Sequence, residues 1–204
     1  MQKRFSLVAV IALACLAFAA PTYADICGSV VGNLVQNCGF EASTSFPPMD
    51  WTFTPAPGGG SDIFLESGGS GCSSGSNCVW FGAVGSTDDS ISQTLSNAAG
   101  TFDLRFYLGH TSTNRANDFN VFWDGTNVFS ITNTASFAIG LVDIAGLIGT
   151  GNDTITFAGR EVPNWYQLDD VSVVQTTPEP ASLLLLGSAL AGAGILVRRR
   201  FAKQ

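Results

Sequence analysis

Alternating apolar and polar residues fill most of the chain between Ser29 and Gln175. "SVVGNLV", "DIFLES", "CVWFGAV", "SISQTL", "TFDLRFYLG", "DFNVFWD", "NVFSIT", "SFAIGLVDI", "DTITFAG" and "WYQLDDVSVV" follow one another, rich in Val, Ile, Phe, Thr, Tyr and Trp. A period of two in such residues predicts β-strands with one buried face. Between them lie "PAPGGGS", "ESGGSG", "NAAG", "WDGTN" and "GTGND", whose Gly, Pro, Asn and Asp suit turns. "FNVFWDGTNVFSI" predicts a hairpin turning at Asp124-Gly125-Thr126-Asn127. "SFAIGLVDIAGLIGT" is ambiguous between strand and helix, and no other stretch of this region reads as a long amphipathic helix. Nine or ten strands at this spacing predict an all-β antiparallel sandwich, a jelly roll.

The two ends break the alternation. Lys3 and Arg4 precede an apolar stretch from Ser6 to Ala20, and Thr22-Tyr23-Ala24 puts small residues where a signal peptidase reads. That order predicts a secretory signal peptide. Ala181 to Val197 is a second run, 17 residues without a charge. As a helix it spans about 25 Å, at the lower edge of what crosses a bilayer. Arg198, Arg199, Arg200 and Lys203 follow it, and the positive-inside rule holds them in the cytoplasm. The chain therefore divides into a signal peptide (1–24), a β-sandwich domain (25–174) and a linker (175–180). A transmembrane helix (181–197) and a basic cytoplasmic tail (198–204) complete it.

Charge narrows the partners. The whole chain carries a net −7, but six of its nine basic residues lie in the two end segments. The domain keeps Arg105, Arg115 and Arg160 against fifteen acids. No basic patch is possible, which argues against nucleic acid and anionic lipid as partners. An acidic surface suits solubility, divalent cations or neutral polymers. Once Cys15 leaves with the signal, Cys27, Cys38, Cys72 and Cys78 remain, an even number in an oxidising compartment. Three pairings are open. We expect neighbours in sequence to join, Cys27 with Cys38 and Cys72 with Cys78, the second closing the Gly/Ser loop "CSSGSNC". A zinc site is disfavoured, because C-x-x-C spacing is absent and His110 is the single histidine.

Pro178-Glu179-Pro180, the Leu/Gly/Ala-rich run and the terminal arginines together resemble the PEP-CTERM sorting signal of Gram-negative bacteria. The resemblance implies recognition by an exosortase and delivery to the exterior, often alongside exopolysaccharide genes. The apolar tail then serves as a temporary anchor in the inner membrane. "NLVQNCGFEAS" and "NWYQLDDVSVV" resemble the first and last strands of galactose-binding-like jelly rolls and carbohydrate-binding modules. In such folds these strands lie close together, so Glu41 is expected beside Asp169 or Asp170, with backbone carbonyls completing an oxygen shell for a structural Ca²⁺. Alternation along "QLDDVSV" puts the two aspartates on opposite faces, so only one is expected beside Glu41.

Sugar rings stack on exposed aromatic faces, and Trp51, Trp123, Trp165 and Tyr166 are the candidates, the three tryptophans foremost, with Asn120, Asn164 and Gln167 nearby in sequence. Trp80, inside "CVWFGAV", is expected in the core, and His110 as a polar loop residue. "GCSSG" matches a serine-nucleophile pattern but lies in a Gly/Ser loop bracketed by cysteines, without the strand and helix that pattern needs. No catalytic residue is assigned. The expected function is that of an exported, non-enzymatic sandwich binding extracellular polysaccharide at the cell surface or in the matrix. The alternatives are a purely structural matrix protein and a glycan-active enzyme.

Overall fold

The computed structural model describes residues 26–111 and 116–176. The signal peptide (1–24), Pro178, Glu179, Pro180, the apolar run 181–197 and the basic tail 198–204 lie outside the described residues. Ten strands form in chain order: β1 (Thr52–Thr54), β2 (Ile63–Ser67), β3 (Asn77–Phe81), β4 (Asp89–Thr94) and β5 (Gly100–His110), then β6 (Asp118–Trp123), β7 (Thr126–Thr132), β8 (Phe137–Gly149), β9 (Thr154–Arg160) and β10 (Tyr166–Gln175). They build two five-stranded antiparallel sheets, ordered β1-β4-β9-β6-β7 and β2-β3-β10-β5-β8. This is the expected sandwich. The hairpin turns where its sequence places it, with Asp124 and Gly125 both at positive φ between β6 and β7.

Period two explains the core. Phe102, Leu104, Phe106 and Leu108 of β5 face Ile155 and Phe157 of β9 and Phe119, Val121 and Trp123 of β6 across the space between the sheets, and all are buried. Burying each large apolar side chain contributes about 1.5–3 kcal/mol relative to leaving it in water. Aromatic rings dominate the centre: Phe157 lies 5.1 Å from Phe106 and 6.1 Å from Trp51, centroid to centroid. The ambiguous run "SFAIGLVDIAGLIGT" is β8, an edge strand of the second sheet.

Two local expectations differ from the structure. "SVVGNLV" forms no strand, although it lies beside β10. Gly32 adopts a left-handed φ of 78°, and the Asn33 side chain takes the place of a ladder, its Oδ1 accepting from the N–H groups of Val35 and Val173. An amide side chain that bonds the backbone in this way competes with regular pairing. His110 is not a loop residue. It ends β5, fully buried, with its ring stacked 4.4 Å from that of Tyr166 and its Nε2 2.8 Å from Glu161 Oε2. Its Nδ1 lies 3.2 Å from the Ala135 carbonyl, so both ring nitrogens face protein oxygens. No helix among the described residues is long and apolar enough to cross a membrane.

Candidate functional site

The outer face of the second sheet carries an aromatic cluster. In β3 Val79 and Phe81 point into the core, so Trp80 points out. Phe64 pairs with Trp80 across β2 and β3, Gln167 pairs with Trp80 across β10, and Gly109 pairs with Gln167 across β5. These four residues form one row over four strands. Trp165, just before β10, completes the cluster. Ring centroids are 5.5 Å apart for Phe64 and Trp80, 5.6 Å for Trp80 and Trp165, and 5.8 Å for Phe64 and Trp165. All three rings are half-buried, not sealed into the core.

Glycine shapes this face. A Cβ at Gly82 would come within 2.5 Å of Trp165 Cδ1 and Nε1, so only glycine lets that indole lie against β3. A Cβ at Gly109 would come within 2.6 Å of Gln167 Oε1, and one at Gly71 would overlap Gln167 Nε2 and lie 3.1 Å from Trp80 Cζ2. Gly71 also has φ 69°, a conformation that favours glycine. The indole nitrogens both turn inward. Trp80 Nε1 donates to Cys78 Sγ at 3.3 Å, and Trp165 Nε1 is buried without a partner beside Gly82. What the rings offer outward is carbon surface.

The wall beside Trp80 is the loop between β2 and β3. Cys72 and Cys78 join across it and Cys27 joins Cys38, the pairings expected from sequence neighbours. A disulfide closing so short a loop is worth about 2 kcal/mol in the chain-entropy model. Three carboxylates also grip the loop. Asp169 Oδ2 accepts from the N–H groups of Ser73 and Ser74, and Glu41 Oε1 from those of Ser76 and Asn77, while Asp170 Oδ1 accepts from Ser74 Oγ and the N–H of Cys27. Asp170 Oδ2 is buried with no partner. The expectation that only one aspartate faces this region is corrected: both are buried here. The pairing of β10 with β5 shifts register between Asp169 and Ser172, and Asp170 has φ 49°, so strict alternation fails at that point. Burial, then the charge of Asp170, pushes the Asp169 carboxyl up to about 8 against the opposing backbone hydrogen bonds. Among the described residues no three His, Cys, Asp or Glu side chains converge as a ready metal cage.

The other sequence candidates fall elsewhere. Trp51 and Trp123 are only 5% and 4% exposed, with their Nε1 groups donating to the carbonyls of Asn37 and Ile148. Neither presents a face to a sugar, so the stacking role expected of them is withdrawn and of the three only Trp165 keeps it. Tyr166 is core, its hydroxyl donating to Asn117 Oδ1 at 2.5 Å. Asn120 lies on the outer face of the first sheet, bonded to Asp118 and Ser130. Arg160 bridges Asp88 and Asp118 there. Trp80, expected in the core, is instead the centre of the cluster. Both alternating sets of "CVWF" are apolar, so the sequence held no signal for which set faces out.

Comparison with known proteins places this architecture. The chain is similar in fold to TmCBM61 in complex with beta-1,4-galactotriose, with a TM-score of 0.52 at 20% identity, covering 71% of this chain and 99% of that one. It is likewise similar to the K2 cleaved adhesin domain of Lys-gingipain, with a TM-score of 0.54 at 18% identity over 67% of this chain and 97% of the other. The K3 cleaved adhesin domain of the same protein, from Porphyromonas gingivalis, gives 0.52 at 18% identity over 70% and 99%. No curated protein matches the chain in sequence. The domain is thus a jelly-roll sandwich of the kind seen in carbohydrate-binding modules. Residues 176–200 match the model of the PEP-CTERM protein-sorting motif, which marks an exported protein and fits the two disulfides.

Proposed function

We propose that the protein is sorted to the exterior by an exosortase and there binds extracellular polysaccharide without catalysis. On this reading Pro178, Glu179 and Pro180 form the segment the sorting enzyme takes up, and residues 181–197 hold the chain in the inner membrane of a Gram-negative cell until processing. The matrix or cell surface is its destination. One observation carries the binding role: a half-exposed cluster of Phe64, Trp80 and Trp165 on a sheet face, with its indole nitrogens turned away from solvent. Such rings lose apolar surface to the CH face of a sugar, while Trp80 Nε1 keeps its own acceptor. The fold shared with TmCBM61, itself seen with a galactotriose, supports the same reading.

Affinity electrophoresis in gels cast with polysaccharide from the producing cells tests it. Retardation is expected at low and high salt alike, because stacking is not screened. Trp165→Ala or Trp80→Ala should each weaken it about tenfold. Retardation that disappears in salt, or that both variants retain in full, would rule out the aromatic site.

A structural Ca²⁺ at the junction of Glu41, Asp169 and Asp170 is a second proposal, favoured by Asp170 Oδ2, buried and without a hydrogen-bond partner. The fit is partial. Glu41 Oε1 and Asp169 Oδ2 already accept backbone N–H groups, so Asp170 Oδ2 is the oxygen that would approach the cation first. What a cation would supply is positive charge beside two adjacent buried carboxyls.

A further inference from the structure

We infer that the Phe64–Trp80–Trp165 site takes a single chain of neutral sugar, read through the Gln167 amide, and rejects both packed polysaccharide surfaces and acidic polysaccharides; this rests on the glycan reading above. Ring geometry excludes a flat ligand. Trp80 and Trp165 are inclined at 45°, Phe64 and Trp80 at 44°, and Phe64 and Trp165 at 82°. Lying on a packed polymer surface needs rings that share one plane. Three mutually tilted rings less than 6 Å apart form a corner, which meets one sugar unit from more than one side.

Gln167 supplies the polar contact. It is only 6% exposed, yet its amide bonds no described residue, and it lies between Gly71 and Gly109 in the same cross-strand row as Trp80. No protein group among the described residues bonds that amide, so its N–H groups and its carbonyl stay open to a sugar hydroxyl beside the rings. Glycine at 71 and 109 leaves room for that side chain where any Cβ would crowd it. Among the described residues the site offers an anionic sugar no unpaired cation. Among the described residues the cations are Arg105, paired with Asp143, and Arg160, paired with Asp88 and Asp118 on the other sheet. Glu66, two residues beyond Phe64 on the same face of β2, adds negative charge.

The test uses the full chain in mild detergent against four probes: soluble dextran, soluble hydroxyethyl cellulose, microcrystalline cellulose and alginate. Binding is expected to at least one soluble neutral polymer and to neither of the last two. Gln167→Leu, which keeps the volume but not the amide, should weaken that binding about tenfold at an unchanged melting temperature. Trp165→Phe, which keeps an aromatic face, should retain most of it. Binding only to microcrystalline cellulose or only to alginate, or a Gln167→Leu variant that binds as the wild type does, overturns this inference while leaving a glycan-binding role intact. Binding to none of the four and to no polysaccharide of the producing cells overturns the glycan reading itself, and this inference with it.

Discussion

Replacing Phe157 by alanine is expected to remove about 3–5 kcal/mol of unfolding free energy. Phe157 is fully buried in the middle strand of the first sheet, and its ring meets Trp51, Phe106 and Phe119. Phe106 belongs to the opposite sheet, so the contact joins the two halves of the sandwich. Removing the ring forfeits its transfer free energy and leaves a cavity that strands paired on both sides cannot close. A domain of this size has only about 5–15 kcal/mol to lose. Urea unfolding measures it: the midpoint should fall sharply with little change in slope. Phe157→Leu should cost about 1 kcal/mol, since volume is nearly conserved. A loss below about 1 kcal/mol for the alanine variant would mean the sheets do not close over this ring.

The second large effect is on pH. The Asp169 carboxyl is pushed from 3.8 to about 8, by burial first and by the charge of Asp170 next. Between those values the folded protein holds a proton that the unfolded chain has released. Stability from this group is therefore fully present below about pH 4 and is lost as pH rises towards 8, several kcal/mol in all. With chelator present, melting temperature should fall across that window, and Asp169→Asn should flatten the fall while lowering stability at pH 5. A wild-type curve that rises from pH 4 to 8 would show that the N–H groups of Ser73, Ser74 and Asp170 hold the carboxylate ionised. Calcium is the discriminating addition. If a cation sits at this junction, adding it raises the melting temperature more as pH rises towards 8 and Asp169 gives up its proton, and Glu41→Gln abolishes the gain. If calcium moves neither curve, the cation proposal falls and the proton held by Asp169 stands.

The sorting motif was legible because it is local: a Pro-Glu-Pro segment, an uncharged run and a basic end need no tertiary partner to be read. The same holds for the disulfides, whose cysteines are eleven and six residues apart. Strand pattern was legible wherever one alternating set was polar. In "DFNVFW" the set Phe119, Val121 and Trp123 is wholly apolar and the other holds Asp118 and Asn120, so Trp123 could have been assigned to the core on that ground. In "NCVWF" both sets are apolar save Asn77, and Trp80 had no such sign.

The sequence by itself determined most of the strands and their turns, the two short disulfide loops and the sorting signal, since each rests on contacts or conformations a few residues wide. Only the tertiary structure decided which tryptophans a ligand can touch, because exposure depends on how the sheets stack and on what a neighbouring strand lacks. Trp165 can lie against the chain just beyond β3 because position 82 has no side chain. Asp169 and Asp170 can both be buried because a register shift in β10 overrides alternation, and their carboxyls find partners 95 residues away in the chain. No window along the sequence contains those partners; folding brings them together.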